Sequence, residues 1–197
     1  MMPIGLLMVE HRLIERMLAD VRSRMAEMEA TRSADVAYLR AVVDFIRTYA
    51  DRCHHGKEED ILFKELLAKN PDPAIAATTR DLISEHAWAR DTVGRLVQAL
   101  DAYAEGRQAA PADITSCLRQ LLDFYPVHIR KEDKDYFKPA MAYFTPEEQA
   151  VMLTEFHEFD RALIHEHYRR VVERLEVWGP GARSGARPGA EDEEAGL

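Results

Sequence analysis

Prolines and glycines interrupt this sequence at only a few places before its C-terminal end, and between them run long segments with helical spacing. Apolar residues recur every three or four positions, the pattern of a helix that buries one face. No segment alternates as a half-buried strand does. Four long helices joined by short turns predict an all-α fold, an up-down-up-down four-helix bundle with an additional C-terminal helix. The predicted helices run from about Pro3 to Met28, Asp35 to Lys69, Ala74 to Glu105, Pro111 onward, and Thr145 to Trp178.

Turn and cap signals mark the ends of these segments. The run Asn70-Pro71-Asp72-Pro73 ends the second helix, because proline lacks the amide hydrogen that a continuing helix needs. Gly106 is placed to follow the third helix as its C′ residue. The run Thr145-Pro146-Glu147-Glu148 is typical of a capping box and opens the fifth helix.

Ionisable residues occupy inward positions of the first four helices, where the pattern calls for leucine. The first and third helices each carry one histidine there, and the second and fourth each carry a His-x-x-x-Glu pair. The neighbouring residues repeat as well, since Glu10 and Glu85 each precede a histidine of the set. Two similar helical hairpins are therefore predicted. The six inward residues are His11, His54, Glu58, His86, His128 and Glu132.

The spacing of four places each histidine and its glutamate on adjacent turns of one helix face. In a bundle, four histidines and two glutamates would then meet inside an apolar core. Because unpaired buried carboxylates are energetically unfavourable, bound cations are expected. Glu58 and Glu132 are predicted to bridge two metal ions, with the histidines as terminal ligands. A mixture of carboxylates and imidazoles suits iron or manganese, with zinc as an alternative.

The order His, His-x-x-x-Glu, His, His-x-x-x-Glu resembles that of the hemerythrin-like, or HHE cation-binding, family over about residues 4–138. The resemblance implies a non-haem di-iron centre, oxo- or hydroxo-bridged, with the same six residues as ligands. It implies a function in binding and handling O₂, NO or a peroxide. Any turnover would be that of an oxidoreductase, such as peroxide breakdown or NO reduction.

The sequence departs from the oxygen-carrying members of that family at two positions. They have a further histidine four residues after the one on the third helix, where this chain has Arg90. They also use His-x-x-x-x-Asp on the fourth helix, a spacing that Asp133 offers here. Glu132 is preferred because it preserves the repeat. One histidine fewer predicts more open coordination on the metals. In this the sequence resembles the branch of the family linked to iron-centre repair, to NO and peroxide chemistry and to iron or oxygen sensing, and the resemblance implies these rather than simple O₂ transport.

Three further residues are candidates for an additional or supporting role: Glu15, Tyr49 and Tyr125. Glu15 follows His11 by four residues, so it is either an extra ligand or a flanking ion-pair residue. The two tyrosines lie about one turn from a predicted ligand. Each either donates a hydrogen bond to a bound oxygen species, or acts as a ligand, or packs in the core with a satisfied hydroxyl.

The remaining polar neighbours are expected to lie outside the ligand set. His55 is about 100° round the helix from His54, so it is expected beside a ligand or at the surface. Glu10 and Glu85 are expected to point away, and Lys57 and Glu59 to lie on a solvated face. The histidines of the fifth helix are expected at the surface, namely His157, His165 and His167.

Composition limits the partners and the compartment. The chain has 26 Lys plus Arg against 35 Asp plus Glu, a net charge of −9, which argues against nucleic-acid binding. No apolar run approaches the roughly 18 residues of a membrane span. The two cysteines, Cys53 and Cys117, do not form a disulfide framework. These features favour a cytoplasmic location.

Three regions are expected along the chain: a metal-binding bundle over 1–140, a C-terminal helix over 145–178 and a disordered tail over 179–197. The C-terminal helix would pack on the bundle or on a partner, including a second copy in a homodimer. An alternative function is an iron- or oxygen-responsive sensor that acts through a partner via this helix, with metal-coupled folding as its switch. An iron store is a weaker interpretation, since nothing indicates a mineral cavity.

Overall fold

The computed structural model describes residues 2–107 and 110–177, with residues 164–177 described by their backbone alone. These residues form five helices and no strand, which confirms the all-α prediction. None of the helices in this part of the chain is long and apolar enough to cross a bilayer. The helices are α1 (Pro3–Thr31), α2 (36–68), α3 (Pro73–Ala104), α4 (110–141) and α5 (Pro146–Val177).

Local sequence explains where these helices begin and end. The Asp72 carboxylate accepts a hydrogen bond from the Ala74 amide at 2.8 Å and caps α3. Thr145 and Glu148 form the predicted capping box, with the Glu148 amide 3.2 Å from Thr145 Oγ1 and the Thr145 amide 2.8 Å from Glu148 Oε2. Gly106 follows α3 with φ of 82°, the left-handed conformation that a glycine C′ residue supplies.

Side-chain pairs between neighbouring helices show that the helices alternate in direction. Arg12 on α1 pairs with Asp133 on α4. Glu29, later on α1, pairs with Arg119, earlier on α4. Since α1 and α3 each lie against both α2 and α4, the four helices form the predicted up-down-up-down bundle. The other neighbours show the same reversal, through Asp20–Tyr38 and Glu10–His54, Arg40–Asp101 and Glu59–His86, and Arg95–Gln120 and Glu85–His128.

The core consists of two apolar clusters, and the inward histidines and glutamates of α1 to α4 lie between them. One cluster is represented by Leu39 and Leu96, both completely buried. The other is represented by Leu7 and Leu62, also completely buried, and includes Phe156 from the start of α5. The polar layer is therefore enclosed by apolar packing on both sides.

Helices α2 and α4 change their hydrogen-bonding pattern where they carry the His-x-x-x-Glu pairs. The stretches Ile46–His55 and Glu58–Phe63 of α2 are π-helical, and so is Lys131–Tyr136 of α4. A π-helix closes i→i+5 hydrogen bonds, which widens the turn, and it occurs frequently at functional sites. The sequence pattern predicts α-helices here, with a bend at Pro126 in the fourth, so the π-helical stretches were not anticipated.

Contacts divide the chain into two compact units, Met1–Asp160 and Arg161–Leu197. The first unit contains the bundle and the start of α5. The described part of the second is the remainder of α5, through Val177. The three regions expected from the sequence stay a prediction, and the tail expected over 179–197 lies outside the described residues.

Candidate metal centre

The six predicted ligands meet in the middle of the bundle. His11, Glu58, His86 and Glu132 have no exposed surface, and His128 is 2% exposed. α1 and α3 each contribute one histidine, while α2 and α4 each contribute a His-x-x-x-Glu pair. The helical stripes predict this convergence, because each of these residues stands in line with the apolar residues that face the core.

His55 also lies in the bundle interior, so of its two expected positions it takes the one beside a predicted ligand and not the one at the surface. It is 1% exposed, and its ring is parallel to that of His86 with centroids 3.8 Å apart. The physical reason is the π-helical stretch Ile46–His55. Its wider turn reduces the angle between consecutive residues, so His54 and His55 both reach the interior.

These side chains form two groups, each compact enough to hold a metal ion. We call them the His/Glu cluster (His11, His54, Glu58 and Glu132) and the three-histidine cluster (His55, His86 and His128). In each cluster, one ligand atom from every residue lies within 4.8 Å of the others.

Each glutamate places one oxygen near a histidine of each cluster, and a carboxylate in that position can bridge two cations. Glu58 Oε1 lies 3.5 Å from His54 Nε2, and Glu58 Oε2 lies 3.5 Å from His86 Nε2. Glu132 is placed in the same way, with Oε2 3.2 Å from His11 Nε2 and Oε1 3.3 Å from His128 Nε2.

A carboxylate lies at Nδ1 of all five imidazoles, closely in four of them and at 3.4 Å between Asp51 and His55. An ionised carboxylate can only accept a hydrogen bond, so Nδ1 donates in the four close pairs, and Nε2 faces the centre as the atom that would bind a metal. Such partners typically fix the ring and tautomer of a metal-binding histidine. The four bonds are His11–Asp133 at 2.8 Å, His54–Glu10 at 2.9 Å, His86–Glu59 at 2.7 Å and His128–Glu85 at 2.7 Å.

A positive side chain holds each of these carboxylates in turn. The expectation that Glu10 and Glu85 point away from the site is wrong. The expectation that Lys57 and Glu59 lie on a solvated face is also wrong. One step round the helix turns Glu10 and Glu85 toward the neighbouring helix rather than toward water. Lys57 is completely buried, and its ammonium also lies 2.6 Å from Asp160 on α5. The four ion pairs are Arg12–Asp133, Lys57–Glu10, Arg90–Glu59 and Lys131–Glu85.

Burial and charge shift the pKa values of the site in opposite directions. Burial lowers the pKa of His54 to about 4. Burial alone would also lower the pKa of His11, but the carboxylates of Asp133 and Glu132 raise it to about 9. Burial, together with the neighbouring Glu132 carboxylate, raises the pKa of Glu58 well above its usual range. The buried carboxylates of the centre are therefore stabilised by a nearby positive charge, which a protonated His11 or a bound cation can supply.

Six buried atoms of the His/Glu cluster have no hydrogen-bond partner among the described residues: Nε2 of His11 and of His54, and both oxygens of Glu58 and of Glu132. An unpaired buried polar atom costs about 1–3 kcal/mol. Cations bound between these atoms would satisfy all of them. Imidazole nitrogens and carboxylate oxygens are ligands that divalent metals accept, so the residues fit a metal centre.

A family model described as the Hemerythrin HHE cation binding domain matches residues 2–140, which include both clusters. The chain belongs to this family. Comparisons with the curated proteins and with the solved structures found no match.

The structure of this HHE domain explains the two departures from the oxygen carriers. Asp133 does not join the clusters, because it accepts a hydrogen bond from His11. Arg90 pairs with Glu59 and lies 2.7 Å from Asp51 through its Nε. His55 adds an imidazole to the three-histidine cluster, a residue that the comparison with the oxygen carriers does not include.

The three supporting candidates occupy different positions in the HHE domain. Glu15 is partly exposed and pairs with Arg12 at 3.0 Å, outside both clusters. Tyr49 packs on Phe45, with ring centroids 5.1 Å apart, and belongs to neither cluster. Tyr125 is 2% exposed, and its ring is nearly parallel to that of His55, with centroids 6.5 Å apart.

The orienting residues that sequence reasoning missed had a signal in the internal repeat of the HHE domain. Glu10 matches Glu85, and Lys57 matches Lys131, and both pairs have the same partners in the two hairpins. His55 had no such signal, because the matching residue of the other hairpin is Ile129.

Proposed function

We propose that this HHE domain binds two iron ions and uses them to bind and handle O₂, NO or a peroxide. The supporting observation is the position of Glu58 and Glu132, each with one oxygen beside a histidine of each cluster. The mixture of imidazole and carboxylate donors suits iron, while manganese and zinc are the alternatives.

Iron bound here would supply redox chemistry and coordination positions for a small ligand. The protein contributes orientation and shielding. The carboxylates on Nδ1 hold the imidazoles so that their Nε2 atoms face the centre, and the two apolar clusters cover the centre on two sides. Lys57 and Lys131 hold the carboxylates of Glu10 and Glu85 in turn.

Metal analysis of the purified protein tests the number and kind of ions. We expect close to two iron ions per chain after anaerobic reconstitution with ferrous iron. Competition with manganese and zinc during reconstitution ranks the alternatives. Protein that binds zinc alone, or fewer than one ion per chain, would contradict the proposal.

Optical spectra test the reactivity toward small ligands. The reduced, iron-loaded protein is exposed separately to O₂, NO and H₂O₂. We expect a new visible absorption with at least one of them. The ligand that gives a persistent or a turning-over spectrum identifies O₂ binding, NO chemistry or peroxide chemistry. No spectral change with any of the three would remove the proposed function.

A second candidate is an iron- or oxygen-responsive sensor that acts through α5. The observation that favours it is a chain of contacts from the His/Glu cluster to this helix. His54 is bonded to Glu10, Glu10 pairs with Lys57, and Lys57 pairs with Asp160. Circular dichroism with and without iron separates the two candidates. A large loss of helix on chelation favours sensing, and an apo form that stays folded favours ligand handling.

A further inference from the structure

A cavity of about 290 Å³ lies beside the three-histidine cluster, between α2, α3 and α4. The buried ring of His55 forms part of its wall, so the cavity reaches the candidate metal centre directly. Arg47 and Arg90, which are exposed or partly exposed, stand on its outer side. The cavity is thus a route from solvent to this centre.

The volume of this cavity exceeds what a diatomic gas or hydrogen peroxide requires. Since a water molecule occupies about 30 Å³ in the liquid, 290 Å³ is room for roughly ten of them. A compact organic molecule fills such a space, whereas O₂, NO or H₂O₂ would leave most of it to water. Size therefore admits a ligand that carries an organic group.

The lining offers an apolar surface for that group. Ile46, Ala89 and Val93 line the cavity, and each is at most 5% exposed. Of the charged lining residues, Arg90 binds Asp51 at 2.7 Å and also binds Glu59, while Arg47 is exposed to solvent at the outer side and has no ion pair among the described residues. The inner part of the wall is apolar and its charges are paired, which suits a neutral ligand there rather than a carboxylate or a phosphate.

One polar group of the lining is free to bond to a ligand. Tyr125 is 2% exposed as a residue, and no described residue forms a hydrogen bond with its hydroxyl. A ligand with an oxygen acceptor could therefore accept a hydrogen bond from this hydroxyl. Tyr125 also stands beside His55, so this acceptor would lie next to the metal centre.

We propose that this cavity binds a neutral organic hydroperoxide, with its alkyl or aryl group against Ile46, Ala89 and Val93 and its peroxide oxygens at the Tyr125 hydroxyl. This inference rests on the proposed function and selects organic hydroperoxides among the peroxides. A hydroperoxide has the two features that the cavity calls for, an apolar body and an uncharged oxygen acceptor.

Binding is tested first with unreactive analogues, on the iron-loaded full-length chain. Calorimetric titration with cumyl alcohol measures the organic group together with an oxygen acceptor, and titration with cumene measures the organic group alone. Tyr125→Phe should weaken binding of the alcohol about fivefold and leave that of the hydrocarbon unchanged. Equal effects on the two probes, or no binding of either to the unaltered protein, would overturn the proposal.

Reactivity is tested with a cavity-filling variant. Val93→Phe places a larger side chain in the cavity, and Val151→Phe makes the same change at an exposed position of α5. The measured quantity is the ratio of the rates at which cumene hydroperoxide and H₂O₂ change the visible spectrum. We expect Val93→Phe to lower this ratio at least tenfold and Val151→Phe to leave it unchanged, with equal iron content in both.

The outcomes separate the two proposals. A spectral response to H₂O₂ with an unchanged ratio in Val93→Phe would overturn the hydroperoxide site and leave the di-iron function in place. No response of the unaltered protein to any peroxide, O₂ or NO would remove the di-iron function itself. If Val93→Phe fails to fold, the two titrations with Tyr125→Phe still decide the question.

Discussion

The histidines of the centre use their two ring nitrogens for different purposes. In four of them Nδ1 donates to a carboxylate, and Nε2 faces the buried centre. Each of those carboxylates is held by a lysine or an arginine. Each of these four imidazoles is therefore held by a carboxylate, and each carboxylate by a positively charged side chain. This arrangement fixes the orientation of the rings before any metal binds.

Removal of one imidazole should reduce the metal content. We expect His54→Ala and His128→Ala each to lose at least one metal ion per chain, since each removes a ligand next to a bridging glutamate. His157→Ala is the control, because His157 is exposed on α5. Metal is counted by elemental analysis after reconstitution. Two ions per chain in both core variants would refute the ligand assignment.

Removal of an orienting carboxylate should weaken metal binding without removing a ligand. Glu85→Gln takes the charge from the partner of His128 and Lys131. Such changes typically cost 10–100-fold in affinity, so we expect a loss of about that size. Competition with a chelator measures it. Glu29→Gln, a change on a residue that pairs with Arg119 outside both clusters, should leave the affinity unaltered.

At the scale of the helices, the π-helical stretches decide which residues face the centre. They lie on the two helices that carry the His-x-x-x-Glu pairs. In α2, they bring His55 inward beside His54. They also leave Gly56 against Phe159 of α5, where an added Cβ would lie 2.7 Å from Phe159 Cζ. The close approach of α2 and α5 at this point therefore depends on glycine at position 56, which has no side chain.

This approach can be tested with two glycine substitutions. Gly94→Ala meets no atom within 4 Å and should raise the free energy of unfolding by about 0.5–1 kcal/mol, because glycine weakens a helix interior. The change in the free energy of unfolding for Gly56→Ala should be about 1–2 kcal/mol less favourable than that for Gly94→Ala, because Phe159 must shift. Urea denaturation measures both variants.

The steric cause has its own control. In a protein that already carries Phe159→Ala, the added Gly56→Ala should raise the free energy of unfolding by about as much as Gly94→Ala does in the unaltered protein. A Gly56→Ala protein as stable as Gly94→Ala would show that α5 does not constrain this position.

At the scale of the whole molecule, we expect the polar layer to make stability depend on bound cations. Two apolar clusters enclose a layer with six unpartnered buried atoms in the described chain. Without positive charge between them, these atoms should weaken the bundle at its centre. We therefore expect metal binding and folding to be linked.

Chelation should lower the melting temperature, and iron should restore it. A free ion at 100 times its dissociation constant stabilises the folded state by about 2.7 kcal/mol. For a chain of this size, that corresponds to a shift of roughly 5–10 °C. Differential scanning calorimetry of the apo and reconstituted protein measures the shift. His54→Ala should show a smaller one, and an apo protein as stable as the loaded form would contradict the linkage.

The sequence by itself determined the fold class, the helix ends and the six inward residues, because helical periodicity and cap chemistry are local properties. The repeat of His11 and His86, and of the two His-x-x-x-Glu pairs, predicted that they share a layer of the bundle. Each of the six stands in line with apolar residues that face the core, so its side chain was predicted to face the core as well.

Only the tertiary structure decided the surroundings of those residues. His55 turns inward through a change of helix type, which periodicity does not register. Glu10 and Lys57 stand one step off the stripe, where only the placement of a neighbouring helix decides between water and burial. Arg90 was noted as a missing histidine, and its pairing with Asp51 and Glu59 depends on contacts between helices. Local spacing determines on which face of its helix a residue lies, and the packing of the helices determines which residues contact that face.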